Sequence, residues 1–291
     1  MYWCLWQVYA VETVKSMCIL SRKIIEKNGY TSRITVLEGQ ASDVQLPNGI
    51  LADVLISEWM GFYLLHESML DAVVTARDRL LHSAGTVFPS TATLYACPVS
   101  MKEYCTQNFD FWQDICGFDF SEAASVMRQK CLTSPEVVTV SDKSLLAEPQ
   151  QLLSIDLQYV NASDVCTVMA SLDFVVQRND LMHGFALWFD VQFDGCHPVT
   201  LDTSPSAAPT HWQQTVILLP STLLVNRDSL VQCRMLLQQA ENHHRYNITV
   251  EMLEDDDVDD DDGVDREEND NESQSSFAAT QLIKHAMHKV I

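Results

Sequence analysis

The hydrophobic period of this chain changes once, in the stretch "GTVFPS" from Gly85 to Ser90, and that change limits what the chain can fold into. Before it, short apolar runs alternate with runs whose apolar residues recur at helical spacing. After it, apolar residues recur at every second position for most of the remaining length. Parallel strands need crossover helices between them and antiparallel strands need only turns, so the two patterns predict two units of different architecture.

In the first part, "VYAVE" (Val8 to Glu12) reads as a short strand ending on a carboxylate. Val14, Met17, Cys18, Ile24 and Ile25 follow at helical spacing, closed by Asn28 and Gly29 as a C-cap. "RITVLEG" and "ADVLISE" read as further strands and "ESMLDAVVTARDRLL" as a second helix opened by Glu67. This is an α/β alternation with parallel pairing expected, and Glu12 stands at the strand end where such sheets bind nucleotide-like ligands.

In the second part, "TATLYACPV", "QQLLSIDLQYV", "CTVMASLDFVVQ", "HGFALWFDVQF", "WQQTVILLP", "SLVQCRMLLQ" and "YNITVEML" read as strands of an antiparallel barrel or sandwich. Between the first two lies a helix-compatible segment, Tyr104 to Lys130, carrying Phe109, Phe111, Trp112, Phe118 and Phe120. So many exposed rings need cover from the barrel or from a second chain.

With 291 residues, 47% of them hydrophobic, the chain can bury a sizeable core. Nine scattered cysteines, odd in number and without a C-x-x-C pair, argue against a disulfide framework and a zinc site, so no metal is expected and a reducing compartment, nucleus or cytoplasm, is. The apolar start "MYWCLWQVYAVETVK" has no basic flank or cleavage signature and is too short to span a bilayer, so neither a signal peptide nor a membrane helix is expected. Between Glu254 and Glu272 thirteen acidic residues face one basic residue, Arg266, a local −12 that leaves −10 of the total −22 for the rest. Such a run repels itself and reads as a disordered tail, either solubilising or a dock for a basic partner; direct nucleic-acid binding is not expected.

The stretch "SEWMGFYLLHESML" (Ser57 to Leu70) sets Glu58 and Glu67 at either end of an aromatic and aliphatic loop. By residue type alone, two glutamates near a helix start could simply cap and solvate it. The whole stretch, however, resembles the double-glutamate loop of type I protein arginine N-methyltransferases. "THW" (Thr210 to Trp212) is similar to that family's second signature, and "VYAVE" to its ribose-binding strand. The resemblance runs from about Val8 to Leu253, and "LLHESML" and "MHGFALWF" (Met182 to Phe189) are most similar to the protein arginine methyltransferase 6 subgroup.

The resemblance implies a Rossmann-like domain binding S-adenosylmethionine over residues 1–86. A β-barrel would follow over 87–253, interrupted by a helical dimerisation arm at about 101–130, and then the acidic tail, 254–291. It implies methyl transfer to arginine in substrates such as histones or Gly-Arg-rich proteins, giving asymmetric dimethylarginine, by a homodimer. Glu58 and Glu67 would be catalytic, with Glu67 the stronger polariser, and His211 would orient carboxylates or accept a proton. Trp212 would face the arginine pocket, Glu12 accept the ribose hydroxyls, and Met69 line the sulfonium and methyl pocket. A guanidinium has delocalised lone pairs and is permanently charged, so paired carboxylates that hold its planar fork and draw charge from one nitrogen suit this chemistry.

Two departures from the family pattern stand out. Ser42, in "GQASDV", stands where the family has a glutamate contacting the adenine amino group. Upstream of "VYAVE" this sequence has only "MYWCLWQ", where the family has a strand, a glycine-rich loop and a helix, and the pattern reads as a truncated isoform or an incomplete gene model. Two functions therefore stand side by side: an arginine methyltransferase, and a catalytically inactive partner that dimerises with an intact relative and modulates it.

Overall fold

A computed structural model describes residues 7–253; the acidic tail expected over 254–291 lies outside the described residues. Strand β1 (Val8–Glu12) leads into helix α1 (Lys15–Lys27) and strand β2 (Ile34–Glu38). Asn28 caps the helix, its side chain donating to the Ile24 carbonyl at 2.8 Å, and Gly29 takes the left-handed φ of 74° that ends the turn. Strand β3 (Ala52–Ile56), helix α2 (Leu70–Leu80) and strand β4 (Leu81–Phe88) complete this unit. The helix begins at Leu70, so Glu67 does not open it as the sequence suggested. Glu67 has a φ of 54°, which no helical residue adopts, and Met69 occupies the cap position.

β1 and β2 pair in parallel from Val8↔Ile34 to Glu12↔Glu38, and β3 pairs in parallel with β4 as far as Ile56↔Phe88. β4 was not foreseen, because "LHSAGTVF" is polar and glycine-bearing and shows no period. Among the described residues the two pairs are not hydrogen-bonded to each other. Arg79 on α2 links them, donating to the Ala41 carbonyl at 2.8 Å.

The remainder supplies strands β5 (Thr91–Val99), β6 (Glu136–Val138), β7 (Gln150–Asp156), β8 (Thr167–Val175), β9 (Asp180–Phe193), β10 (Val199–Asp202), β11 (Gln214–Val225), β12 (Leu230–Gln239) and β13 (Tyr246–Leu253). One antiparallel sheet runs β6-β11-β9-β5-β7, with β10 on the far end of β9, and a second runs β13-β12-β8. Gln150 joins them side-on: its amide donates to the Asp173 carbonyl and accepts from the Asp173 N–H, so a side chain continues the ladder between β7 and β8. The sheets share one core. Period-two residues such as Leu94, Phe174, Met182, Phe185, Leu187, Met235 and Ile248 are fully enclosed there, and the Phe174 and Phe185 rings lie 5.9 Å apart.

Helices α3 (Lys102–Asn108) and α4 (Ser121–Thr133) leave this body between β5 and β6. Five exposed rings were expected here, but Phe109 is only 3% exposed, edge-on to Tyr104 at 6.0 Å and covered by the Arg128 guanidinium at 5.2 Å. Trp112 is half-buried and donates to the Asn108 carbonyl at 3.1 Å. Phe111, Phe118 and Phe120 remain exposed, so the arm retains an uncovered apolar face. All eight cysteines among the described residues are free thiols, and no helix there is long and apolar enough to cross a membrane.

Candidate active site

The loop from Glu58 to Met69 is held shut at its neck and twisted within. The Met69 N–H donates to the Trp59 carbonyl at 2.9 Å, which brings the two ends of the stretch together and leaves both glutamates exposed beside the closure. Inside it, Gly61 and Leu64 exchange backbone bonds at 3.0 Å in each direction, and His66 N–H donates to Phe62 O at 3.0 Å. Such a tight reversal needs left-handed residues: Tyr63, Leu64 and Glu67 have φ of 39°, 69° and 54°. It also needs glycine at 61, where a Cβ would lie 1.5 Å from the His66 carbonyl oxygen. Trp59, Leu64 and Leu65 point inward and are almost wholly buried, which anchors the loop to the core.

The second unit grips this loop. The Trp212 indole N–H donates to the Met60 carbonyl at 3.1 Å, with its ring edge-on to Phe189 at 5.4 Å. His211 is exposed, and its ring lies tilted against that of its neighbour Trp212 with centroids 3.8 Å apart. Glu67 N–H donates to the His244 carbonyl at 2.7 Å, from the turn between β12 and β13. The Tyr63 hydroxyl lies 3.3 Å from His66 Nδ1, with the Tyr246 backbone beside it. Burial holds His66 below the ordinary imidazole range, partly opposed by Glu67. Burial likewise pushes the Tyr63 phenol up, which keeps it protonated.

Trp212 thus touches the loop that carries Glu58 and Glu67, and His211 adjoins Trp212, with no recorded contact between His211 and either carboxylate. Met69 is half exposed at the start of α2, next to the neck. Glu12 stands at the C-terminal end of β1, where one carboxylate oxygen accepts the Val14 N–H at 2.7 Å. Ser42 is exposed in the turn after β2 and donates to Asp43 at 3.0 Å. Glu12 and Ser42 sit on the β1–β2 pair and have no recorded contact with the glutamate loop. Sequence reasoning missed Tyr63, His66 and the turn around His244. The turn shows in the sequence only as "ENHHR" between two strands, a polar turn like many others. Among the described residues no cluster of three metal-ligating side chains occurs.

Comparison with known proteins bears on the family and the fold. Residues 90–256 match the family model described as the arginine methyltransferase oligomerization subdomain. A probable protein arginine N-methyltransferase 6 of Arabidopsis thaliana is 31% identical over 281 residues, covering 84% of this chain and 64% of that protein. Protein arginine N-methyltransferase 1 of Schizosaccharomyces pombe is 34% identical over 224 residues, covering 77% and 64%. A probable protein arginine N-methyltransferase 6.2 of Oryza sativa subsp. indica is 30% identical, covering 82% and 68%. The chain thus spans about two thirds of the length of these relatives. Among solved structures, the Trypanosoma brucei PRMT1 enzyme-prozyme heterotetrameric complex with AdoHcy superimposes with a TM-score of 0.76 at 30% identity, covering 85% of this chain and 76% of that one. A crystal structure of PRMT6-SAH gives 0.70 at 26% identity.

The class is that of an S-adenosylmethionine-dependent methyltransferase fold joined to a C-terminal β-barrel. Within that class, the chain belongs to the protein arginine N-methyltransferase family.

Proposed function

We propose that this chain carries the arginine-methylating site of its family, in which a guanidinium held by Glu58 and Glu67 receives a methyl group from S-adenosylmethionine. One observation carries the proposal: two exposed carboxylates stand on a loop locked in left-handed turns and pinned from the second unit by Trp212 and His244. Left-handed residues without glycine cost about 1 kcal/mol or more each, and such strain persists where the surroundings over-determine it.

Carboxylates accepting paired N–H bonds fix the guanidinium plane and pull positive charge away from the nitrogen that attacks. Because the loop is set before substrate arrives, little reorganisation is needed at the reacting centre. The new N–C bond forms as the S–C bond breaks, and the methylated nitrogen then sheds a proton, for which His211 is the proposed acceptor.

S-adenosylmethionine supplies the electrophilic methyl group and leaves as the neutral thioether S-adenosylhomocysteine. The residues present fit its ribose and methyl ends. Glu12 places a partly exposed carboxylate at a strand end, and Met69 a polarisable side chain beside the loop neck. The adenine end fits less well, because the Ser42 hydroxyl is turned to Asp43.

The finer reading is asymmetric dimethylation of histones or Gly-Arg-rich proteins, in the nucleus or cytoplasm, by a homodimer formed through the arm. A net charge of −22 suits basic substrates, and the exposed Phe111, Phe118 and Phe120 suit a partner surface. The test is calorimetric binding of S-adenosylmethionine, followed by radiolabelled methyl transfer to a Gly-Arg-rich peptide. Glu67→Gln should lower kcat about 10²- to 10³-fold with donor affinity unchanged, the loss typical of one preorganised group at a reacting centre. Retention of more than a tenth of kcat refutes the polarising role.

A second reading, a non-catalytic partner that assembles with an active relative, draws on the α/β strands standing in two separate pairs and on the enzyme-prozyme assembly of the trypanosome complex. Oligomerisation without any donor binding selects it.

A further inference from the structure

We infer that the β12–β13 turn is the positioning element of Glu67, acting through His244, an inference that rests on the reading of Glu67 as a catalytic carboxylate. Turn and loop are joined by a reciprocal pair of bonds. Glu67 N–H donates to the His244 carbonyl at 2.7 Å, and His244 Nδ1 lies 3.3 Å from the Ser68 carbonyl. A carbonyl can only accept, so Nδ1 carries the proton, and the bond forms in the neutral as in the charged ring. Beside this pair, the backbone of Tyr246, the first residue of β13, lies next to the Tyr63 hydroxyl.

The turn is stiff enough to act as a fixed reference. Ala240 N–H donates to Arg245 O at 2.8 Å, Arg245 N–H to Asn242 O at 2.8 Å, and His244 N–H to the Asn242 side chain at 3.2 Å. Below it the Gln239 amide donates to the His243 carbonyl at 2.6 Å and accepts the Cys166 thiol at 3.2 Å. The His244 carbonyl is therefore held by bonds on both sides of it in the chain.

Glu67 needs such a reference. The loop's internal bonds use the N–H groups of Gly61, Leu64, Leu65, His66 and Ser68, and the neck bond belongs to Met69, so Glu67 is left with an N–H that its own loop does not take up. At a φ of 54° a glutamate is out of its preferred regions, and relaxing to an ordinary φ turns its side chain away from its present direction. The bond to His244 selects the left-handed state, and the direction of the carboxylate follows from it.

The experiment is residue-resolved hydrogen exchange on the full chain, comparing wild type, His244→Ala and His244→Asn, with methyl transfer measured on the same samples. Asparagine keeps a donor near the place of Nδ1, whereas alanine removes it. His244→Ala keeps the backbone carbonyl that takes the Glu67 N–H but removes the ring bond to Ser68 that ties the turn to the loop, so the Glu67 amide should exchange roughly tenfold faster, the equivalent of that one net hydrogen bond, while Leu237 and Ile248 in the flanking strands keep their protection. His244→Asn should restore most of it. Where transfer is measurable, kcat should fall in His244→Ala with KM for the donor unchanged, and recover in His244→Asn. Unchanged Glu67 exchange in His244→Ala, or an equal rise along both strands, overturns the inference. Glu67→Gln in parallel separates the two readings: if it leaves transfer intact, the catalytic role fails while the exchange result still decides whether the turn positions the loop.

Discussion

Arg77→Met should destabilise the protein strongly, because Arg77 fastens the helix behind the glutamate loop to the second unit. Its guanidinium is buried and donates through Nη1 to the Leu157 carbonyl at 3.0 Å and the Val160 carbonyl at 2.7 Å, while Nε and Nη2 each lie 2.8 Å from an Asp78 carboxylate oxygen. Methionine keeps the stem and removes every donor, which leaves two enclosed carbonyls without partners. Hydrogen bonds to a charged group contribute about 1.5–3 kcal/mol each, so two amount to roughly 3–6 kcal/mol; the half-exposed Asp78 pair adds little after solvent screening. For a folded body of this size that loss corresponds to a Tm lower by roughly 6–24 °C. Arg77→Lys offers a single ammonium and cannot span both carbonyls, so it should lose about half as much. Thermal unfolding followed by circular dichroism, with urea titration as the cross-check, measures both variants. An Arg77→Met protein within about 1 kcal/mol of wild type, or an Arg77→Lys protein equal to Arg77→Met, would show that water replaces the guanidinium and that the clamp contributes little.

Three further outcomes follow from other parts of the structure. Gly61→Ala puts a Cβ 1.5 Å from the His66 carbonyl, so the loop must open; methyl transfer and Glu67 amide protection should be lost together, and an alanine variant that retains both refutes the tight reversal. Burial raises the Asp190 carboxyl above the ordinary range, with Asp202 directly across the ladder adding to it and the Tyr95 hydroxyl opposing it. A raised folded-state value means that stability is greatest with the carboxyl protonated and falls as pH rises through its titration. Asp190→Asn should therefore match wild type in acid and exceed it at neutral pH by about 0.5 kcal/mol, and pH-dependent urea unfolding showing a constant difference contradicts this. Phe111→Asp with Phe118→Asp, both exposed on the arm, should shift sedimentation of the full chain toward monomer without lowering Tm; an unchanged association state excludes this face as the contact.

The sequence by itself determined the two architectures, since each depends on a local period. β1, α1, β2 and β3 formed where short apolar runs and helical spacing placed them, and the seven alternating segments after Ser90 all became strands. It determined the identity of the acidic loop too, because Trp59, Gly61 and the two glutamates lie within fourteen consecutive residues. Tertiary structure decided what a local pattern cannot encode. β4 has no period of its own and exists because β3 offers it an edge; β6 and β10 are short for the same reason, being strands only where β11 and β9 pair with them. Phe109 reads like its neighbours Phe111 and Phe118, and only the fold places Tyr104 and Arg128 over it. Glu67 reads as the first residue of a helix, yet the reversal at Gly61, the grip of Trp212 and the carbonyl of His244 hold it in a left-handed turn instead. Those three groups are scattered along the chain from residue 61 to residue 244, and a conformation fixed by contacts so distant becomes visible only when the chain is folded.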